Sequence, residues 1–210
     1  MKDIEIYHQE IDEIDKLNKK PSLFLHACCG PCLAYPLVEL SKHFAITIGF
    51  FNPNIYPLSE FDKRYETLFN YVASFNKKNN LDIKVISNND EFENYQQLFK
   101  SRADDVEGGS TCLKCHAYRM DIAYKYAYEH KYEYFTTVMS VSSKKPSHDL
   151  NVIGLNLEKK YPTTKFLIAD FKKENGQLIG IKISKEEKMY RQNYCGCKYS
   201  LIERDKRNNQ

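Results

Sequence analysis

The stretch Ser22-Leu23-Phe24-Leu25-His26-Ala27-Cys28-Cys29-Gly30-Pro31-Cys32, continuing into Leu33-Ala34-Tyr35-Pro36-Leu37-Val38-Glu39-Leu40, decides the fold. A short apolar run over residues 22–27 ends in a Cys-rich loop with Gly30-Pro31, and residues 33–44 then carry Leu33, Leu37, Val38 and Leu40 at helical spacing. This is a buried strand, a loop and a helix packed back on the strand, the opening unit of a parallel sheet.

Working outward, residues 45–51 form a second apolar run closed by Asn52-Pro53-Asn54, and residues 60–76 a long helix with Phe61, Tyr65, Leu68, Phe69 and Val72 on one face. Residues 82–86 read as a third strand. Residues 92–99 and the polar 104–110 lead to Cys112 and Cys115, which open a helix over 115–130, a segment without Pro or Gly. Strands are predicted at 134–138 and 165–169, with a polar stretch at 140–149 and a helix at about 150–160 between them. Upstream, Ile4, Tyr7, Ile11, Ile14 and Leu17 predict an amphipathic helix over 4–18, stopped by Lys19-Lys20-Pro21. The alternation predicts an α/β fold, a mainly parallel sheet flanked by helices with a helical insert. Ligands of such sheets bind at the carboxyl ends of the strands, and Cys28, Cys29 and Cys32 directly follow the first strand.

The chain has 210 residues, 42% of them hydrophobic, enough for one core. We expect a single domain over residues 1–210, with an N-terminal helix within 1–20 and a basic segment at 172–210. That segment holds ten Lys+Arg against five Asp+Glu within a net charge of +3. Clustered positive charge suits a polyanionic partner such as RNA, and equally a solvated lysine-rich surface. Residues 205–210 are expected to fray. No charged leader precedes an apolar stretch, and the longest apolar runs, such as 44–51, are too short to span a bilayer. A cytoplasmic protein without a membrane partner is therefore expected.

All seven cysteines fall in three groups: Cys28, Cys29 and Cys32; Cys112 and Cys115; Cys195 and Cys197. Buried structural cysteines have no reason to cluster, whereas thiolates sharing a metal must approach within a few ångströms. In a reducing compartment such groups mean metal binding or thiol chemistry more often than structural disulfides. Cys-x-x-Cys suits tetrahedral zinc or an iron–sulfur cluster. Adjacent Cys28 and Cys29 make an awkward pair for one zinc, which moves the reading toward iron. Cys195-Gly196-Cys197 reads as a redox dithiol able to close a strained disulfide ring, as two further metal ligands, or as free surface thiols. Cys112 and Cys115, at a helix N-terminus, are placed where thiolate is favoured. His26 is a proton donor or a hydrogen-bonded strand residue, and His116 a ligand or an exposed helix residue. Tyr56, Tyr190 and Tyr194 lie near the motifs as candidate base-stacking or core residues.

The ordered set His26-Ala27-Cys28-Cys29-Gly30-Pro31-Cys32, Asn52-Pro53-Asn54-Ile55-Tyr56-Pro57 with Glu60 and Arg64, Cys112-Leu113-Lys114-Cys115 with Tyr118-Arg119, Phe135-Thr136-Thr137, and Tyr190-Arg191-Gln192-Asn193-Tyr194-Cys195-Gly196-Cys197 closely resembles the QueH-type epoxyqueuosine reductases. The resemblance runs from about residue 23 to residue 200. It implies a HUP-like fold of the adenine nucleotide alpha hydrolase type, and an oxygen-sensitive iron–sulfur oxidoreductase that converts the epoxide of epoxyqueuosine at the tRNA wobble position to the cyclopentene of queuosine. Cys28, Cys29, Cys112 and Cys115 are implied as ligands of a 4Fe-4S cluster, and Cys195 and Cys197 as the redox-active pair. A second, mononuclear iron is also implied, to which Cys32 or Cys197 would belong. Arg119, Arg191 and Lys198 are candidate phosphate contacts. The stretch 140–147 departs from the Ser-Pro-x-Lys expected there, which puts a contact from that segment in doubt. The implied partners are tRNA carrying epoxyqueuosine and an electron donor, for a monomer or small homo-oligomer.

Three readings compete. A zinc-stabilised RNA-binding module would use the cysteines only to hold the fold. An ATP-dependent nucleotide-modifying enzyme would need a glycine-rich phosphate loop after the first strand, where Cys-Cys-Gly-Pro-Cys stands instead. A thioredoxin-like enzyme would use Cys29-Gly30-Pro31-Cys32 alone.

Overall fold

The computed structural model describes residues 2–209. Five strands, β1 (Ser22–His26), β2 (Ala45–Phe51), β3 (Lys84–Asn88), β4 (Tyr134–Thr137) and β5 (Lys165–Phe166), form one sheet in the order β3-β2-β1-β4-β5. Every neighbouring pair is parallel. The helices are α1 (Asp3–Ile14), α2 (Gly30–Leu40), α3 (Leu58–Asn79), α4 (Phe92–Leu98), α5 (Ser110–Glu129), α6 (Ser147–Lys160), α7 (Gly176–Glu186) and α8 (Lys198–Asn208), with short 3-10 turns at Lys100–Asp104 and Val138–Val141. Among the described residues no helix is long and apolar enough to cross a membrane.

Strand β1 is central and buried from Leu23 to His26, and its alternation feeds both layers. Leu23 and Leu25 join Ile46, Ile48 and Phe50 in a core with α1, α2 and α3, while Phe24 joins Phe135, Phe166 and residues of α5 and α6 on the opposite face. The chain winds from β1 to β2 and β3 on one side, then to β4 and β5 on the other. The direction reverses between β1 and β4, so a crevice opens beyond their carboxyl ends.

Side-chain fit is tight where α6 crosses β5. A Cβ at Gly154 would lie 2.2 Å from the Phe166 ring. Gly154→Val is therefore expected to cost about 1–3 kcal/mol by overpacking, read as a shifted urea midpoint.

The predicted α/β architecture is the observed one, with differences at its margins. Strand β3 lies two residues later than expected and β5 is shorter, ending at Phe166 with one further ladder bond from Leu167 N to Phe135 O. Helix α1 stops at Ile14, leaving Leu17 exposed. On α3 the buried face is Phe61, Arg64, Leu68, Tyr71 and Val72, and Phe69 points to solvent. The basic C-terminal segment contains two helices that hydropathy did not announce, and α8 continues to Asn208, through most of the stretch expected to fray.

Candidate active site

Strand β1 delivers the first cysteine group to the crevice. The ladder continues one bond past the strand, from Ala27 N to Gly49 O, after which Cys29 stands extended as the residue capping α2 and Pro31 sits in its first turn. The Cys28, Cys29 and Cys32 sulfurs lie within 4.8 Å of one another. Hydrogen bonds from the Cys29 and Cys32 thiols hold Cys28 well below the usual thiol range. Donating to Cys28 pushes Cys29 and Cys32 up. The Gln192 amide donates to Cys29 Sγ at 3.0 Å.

Helix α5 brings the second group. Cys112 and Cys115 lie in its first two turns, Gly108 N reaching Cys112 Sγ at 3.4 Å and the Tyr95 hydroxyl reaching Cys115 Sγ at 3.1 Å. The helix terminus does not make Cys115 acidic, since burial pushes its thiol up to about 11.

The third group arrives on the extended chain between α7 and α8, with Cys197 as the N-cap of α8 and its sulfur accepting from Ser200 N at 3.4 Å. Arg64, 1% exposed, fastens this segment. Its guanidinium donates to Glu60 Oε1 at 2.7 Å, to the Cys195 carbonyl at 3.0 Å and to the Tyr194 carbonyl at 3.3 Å. Glu60 also accepts from the Tyr190 hydroxyl at 2.9 Å, and Tyr56 N donates to the Gly196 carbonyl at 2.8 Å. Gly196 has φ +136°, and a Cβ there would lie 3.1 Å from both Arg64 Nη1 and Asn54 Nδ2. Gly196→Ala is expected to cost about 1–3 kcal/mol, read by urea unfolding, and to speed alkylation of Cys195 in the folded protein.

The three groups converge. Cys28, Cys32, Cys112 and Cys195 line one cavity of about 260 Å³, together with His116 and Lys145. A smaller adjoining cavity is bordered by Cys112, Cys115, Cys195 and Cys197. Among the described residues the tight group of sulfurs is Cys28, Cys29 and Cys32, and Cys112 and Cys115 stand outside it. All seven cysteines are free thiols, so the Cys195–Cys197 ring is not closed here.

Two cations serve the cavity. Arg119 is 2% exposed and bonds Asn52 Oδ1 at 2.6 Å, while Asn52 Nδ2 holds the Ala27 carbonyl at 2.9 Å. Burial works against its charge, and the sulfurs of Cys115, Cys28 and Cys195 more than offset it. Arg119 is therefore no phosphate contact, because RNA backbone cannot reach it. Lys145 behaves alike: burial opposes its charge and Cys195, Cys28 and Cys32 restore it. It comes from the very segment whose departure from Ser-Pro-x-Lys put a contact in doubt.

The remaining candidates divide cleanly. His26 is a hydrogen-bonded strand residue, its Nε2 donating to the Phe51 carbonyl at 3.1 Å and Nδ1 lying 3.0 Å from Thr137 Oγ1. Burial pushes it down to about 3, so it is neutral and no ready proton donor. His116 is buried rather than exposed, lines both cavities, and leaves Nδ1 without a partner. Tyr194 is buried with the Arg64 and Arg204 guanidinium groups against its ring, and the Tyr190 ring is covered by Lys63 Nζ at 3.9 Å while its hydroxyl bonds Glu60. Arg191 and Lys198 are exposed, as phosphate contacts require. Gln192, Tyr95 and Lys145 were not found by sequence reasoning. Gln192 lay inside a quoted motif without a chemical role, Lys145 lay in the stretch set aside for departing from Ser-Pro-x-Lys, and Tyr95 carried no signal.

The donors fit a metal centre. An all-sulfur set selects zinc, copper(I) or iron–sulfur clusters. Around the cavities, His116 Nδ1, Gln192 Oε1 and Asn54 Oδ1 are buried without partners, as atoms that face an occupant would be.

A doubly wound parallel sheet whose switch point carries three cysteine groups, where a nucleotide-binding relative would carry a phosphate loop, defines a thiol- or metal-centred α/β protein. The family model described as epoxyqueuosine reductase QueH matches residues 23–203, and the chain belongs to that family. It is 34% identical over 186 residues to epoxyqueuosine reductase QueH of Streptococcus pyogenes serotype M1, covering 89% of this chain and 72% of that protein. It is 33% identical to the Staphylococcus epidermidis protein of the same name, covering 91% of this chain and 81% of that one. The Thermotoga maritima protein of that name is 31% identical, with 87% of this chain and 92% of that one covered. Among solved structures, the U34-tRNA thiolase NcsA from Methanococcus maripaludis with its 4Fe-4S cluster aligns at 14% identity and a TM-score of 0.48, over 99% of this chain and 72% of that one.

Proposed function

We propose that the protein reduces the epoxide of epoxyqueuosine in tRNA, the last step of queuosine biosynthesis. The observation that carries this is the meeting of all three cysteine groups around adjoining cavities at the switch point, in a chain of this family. Removing the epoxide oxygen breaks two C–O bonds, forms one C=C bond and releases water, so the reaction consumes two electrons and two protons. Oxidation of the Cys195/Cys197 dithiol to a disulfide yields that number of each, and an electron donor then restores the thiols. An iron–sulfur cluster, when bound, supplies electrons one at a time, and a second iron with an open position supplies a Lewis acid.

Cys28, Cys29, Cys112 and Cys115 are the proposed cluster ligands. Cys32, whose sulfur shares the donor group of Cys28 and Cys29, is the thiol available to a second iron. Arg119 and Lys145 hold negative charge on the sulfurs. The cavity lies below the protein surface, so the wobble nucleotide must unstack to reach it. We place this activity in the cytoplasm, in a monomer or small homo-oligomer.

The test is anaerobic purification with iron and sulfide quantified, then incubation with epoxyqueuosine-containing tRNA and a strong reductant, and mass analysis of the nucleosides. Loss of one oxygen mass from the modified nucleoside is the expected result. Iron-free protein with stoichiometric zinc, inert after attempted cluster reconstitution, would instead support a zinc-stabilised RNA-binding module.

A further inference from the structure

We propose that a single RNA strand lies along a basic trough crossing the mouth of the cysteine cavity, with Lys144 at its centre and the Glu107 carboxylate as the group that incoming phosphate displaces. This rests on the reading of tRNA as substrate and adds where and how the strand is held.

Three cavities adjoin in a row. The central one is the cysteine cavity; on one side is a groove of about 680 Å³ between the loop 106–108 and the last turns of α8, and on the other a basin of about 330 Å³ beside Pro31 and Gln177. Lys144 borders all three. Lys206 and Arg207 line the groove and Arg191 lines the far basin, so exposed cations run along the whole trough. A nucleotide entering the central cavity leaves its neighbours' phosphates over the flanking basins, where these cations stand.

Two carboxylates interrupt the track. Glu203 is already engaged by buried Arg102 at 2.8 Å. Glu107 borders the groove and the central cavity, with Lys144 at 3.5 Å and Arg207 at 3.9 Å. Both cations are more than half exposed, and such long ion pairs are weak. They hold Lys144 and Arg207 in place, and each weak pair exchanges for one with a backbone phosphodiester, which carries the same single charge as the carboxylate.

The test is anaerobic titration of the full-length protein with substrate-class tRNA across salt, read by fluorescence anisotropy. Lys144→Ala and Arg207→Ala are each expected to weaken binding by about threefold near 0.1 M salt and to lower the slope of log affinity against log salt by about one. Glu107→Gln is expected to tighten binding and steepen the slope, because two cations then exchange counterions rather than a carboxylate. Lys77→Ala, on the exposed end of α3 away from the cysteines, should match wild type. Wild-type affinity and slope in Lys144→Ala and Arg207→Ala, weaker binding in Glu107→Gln, or no tRNA binding by the wild type would each overturn the trough. Epoxide reduction is measured on the same samples. A wild type that reduces the epoxide while the trough variants bind unchanged removes the trough alone; one that binds through the trough but reduces nothing removes the activity alone.

Discussion

Cys28→Ala is expected to abolish epoxide reduction and to strip the metal centre. The loss should far exceed the about 10–100-fold that removing an outer partner of a metal ligand costs. The reason is the position of this sulfur within its group. Cys29 and Cys32 both donate to it, Arg119 and Lys145 both favour its ionised form, and it lines the cavity shared with Cys112 and Cys195. A ligand must be deprotonated to bind, and Cys28 is the sulfur of the group whose ionised form its neighbours favour. Alanine keeps most of the small apolar volume, and the variant should fold. The checks are iron and sulfide content, visible absorbance, and nucleoside mass after incubation. A variant that is folded, iron-replete and active would show that Cys28 is not a ligand.

Arg64→Met is expected to be the most damaging change outside the cysteines. It removes three hydrogen bonds at once and leaves Glu60 without its cation in a nearly dry setting. Breaking a buried pair in this way costs about 3–5 kcal/mol, enough to shift a urea midpoint plainly. Because two of those bonds end on the Tyr194 and Cys195 carbonyls, the loss also frees the Cys-Gly-Cys segment. Arg64→Lys separates the two effects: an ammonium can face Glu60, yet it has no planar fork to reach both carbonyls. It should recover most of the stability while Cys195 alkylates faster than in the wild type. Wild-type alkylation in a stable Arg64→Lys protein would end the idea that this guanidinium positions the dithiol.

Much of the frame was legible because β1 and β2 are mostly buried on both faces and so appear as short, largely apolar runs. The cysteine groups were legible for a different reason, since their spacing is chemical rather than structural. The failures have equally local causes. Strand β3 alternates only weakly between half-buried and exposed residues, so its ends were misread. Helix α7 carries Gly176, which reads as a breaker; a Cβ there would lie 2.4 Å from both the Phe171 carbonyl and the Tyr35 ring, and the glycine is what lets α7 lie against α2. Arg64 was quoted for its motif without a role, because its partners are backbone carbonyls 130 and 131 residues away. Lys145 and Tyr95 reach the cysteines only through tertiary folding, and no periodicity marks them.

The wide spacing of the cysteine groups along the chain sets an order of events in the life of the molecule. The sheet's central pairing, β1 with β2, is available once residue 51 has been made, but the centre cannot close until residue 197 has left the ribosome and docked on Arg64. Until then the pocket beside Cys28 and Cys32 lacks the wall that residues 192–195 supply. Every strand of the sheet thus precedes the last cysteine pair along the chain. The same dependence runs in reverse. Releasing the Tyr194 and Cys195 carbonyls from Arg64 opens that wall and breaks no bond of the sheet ladder.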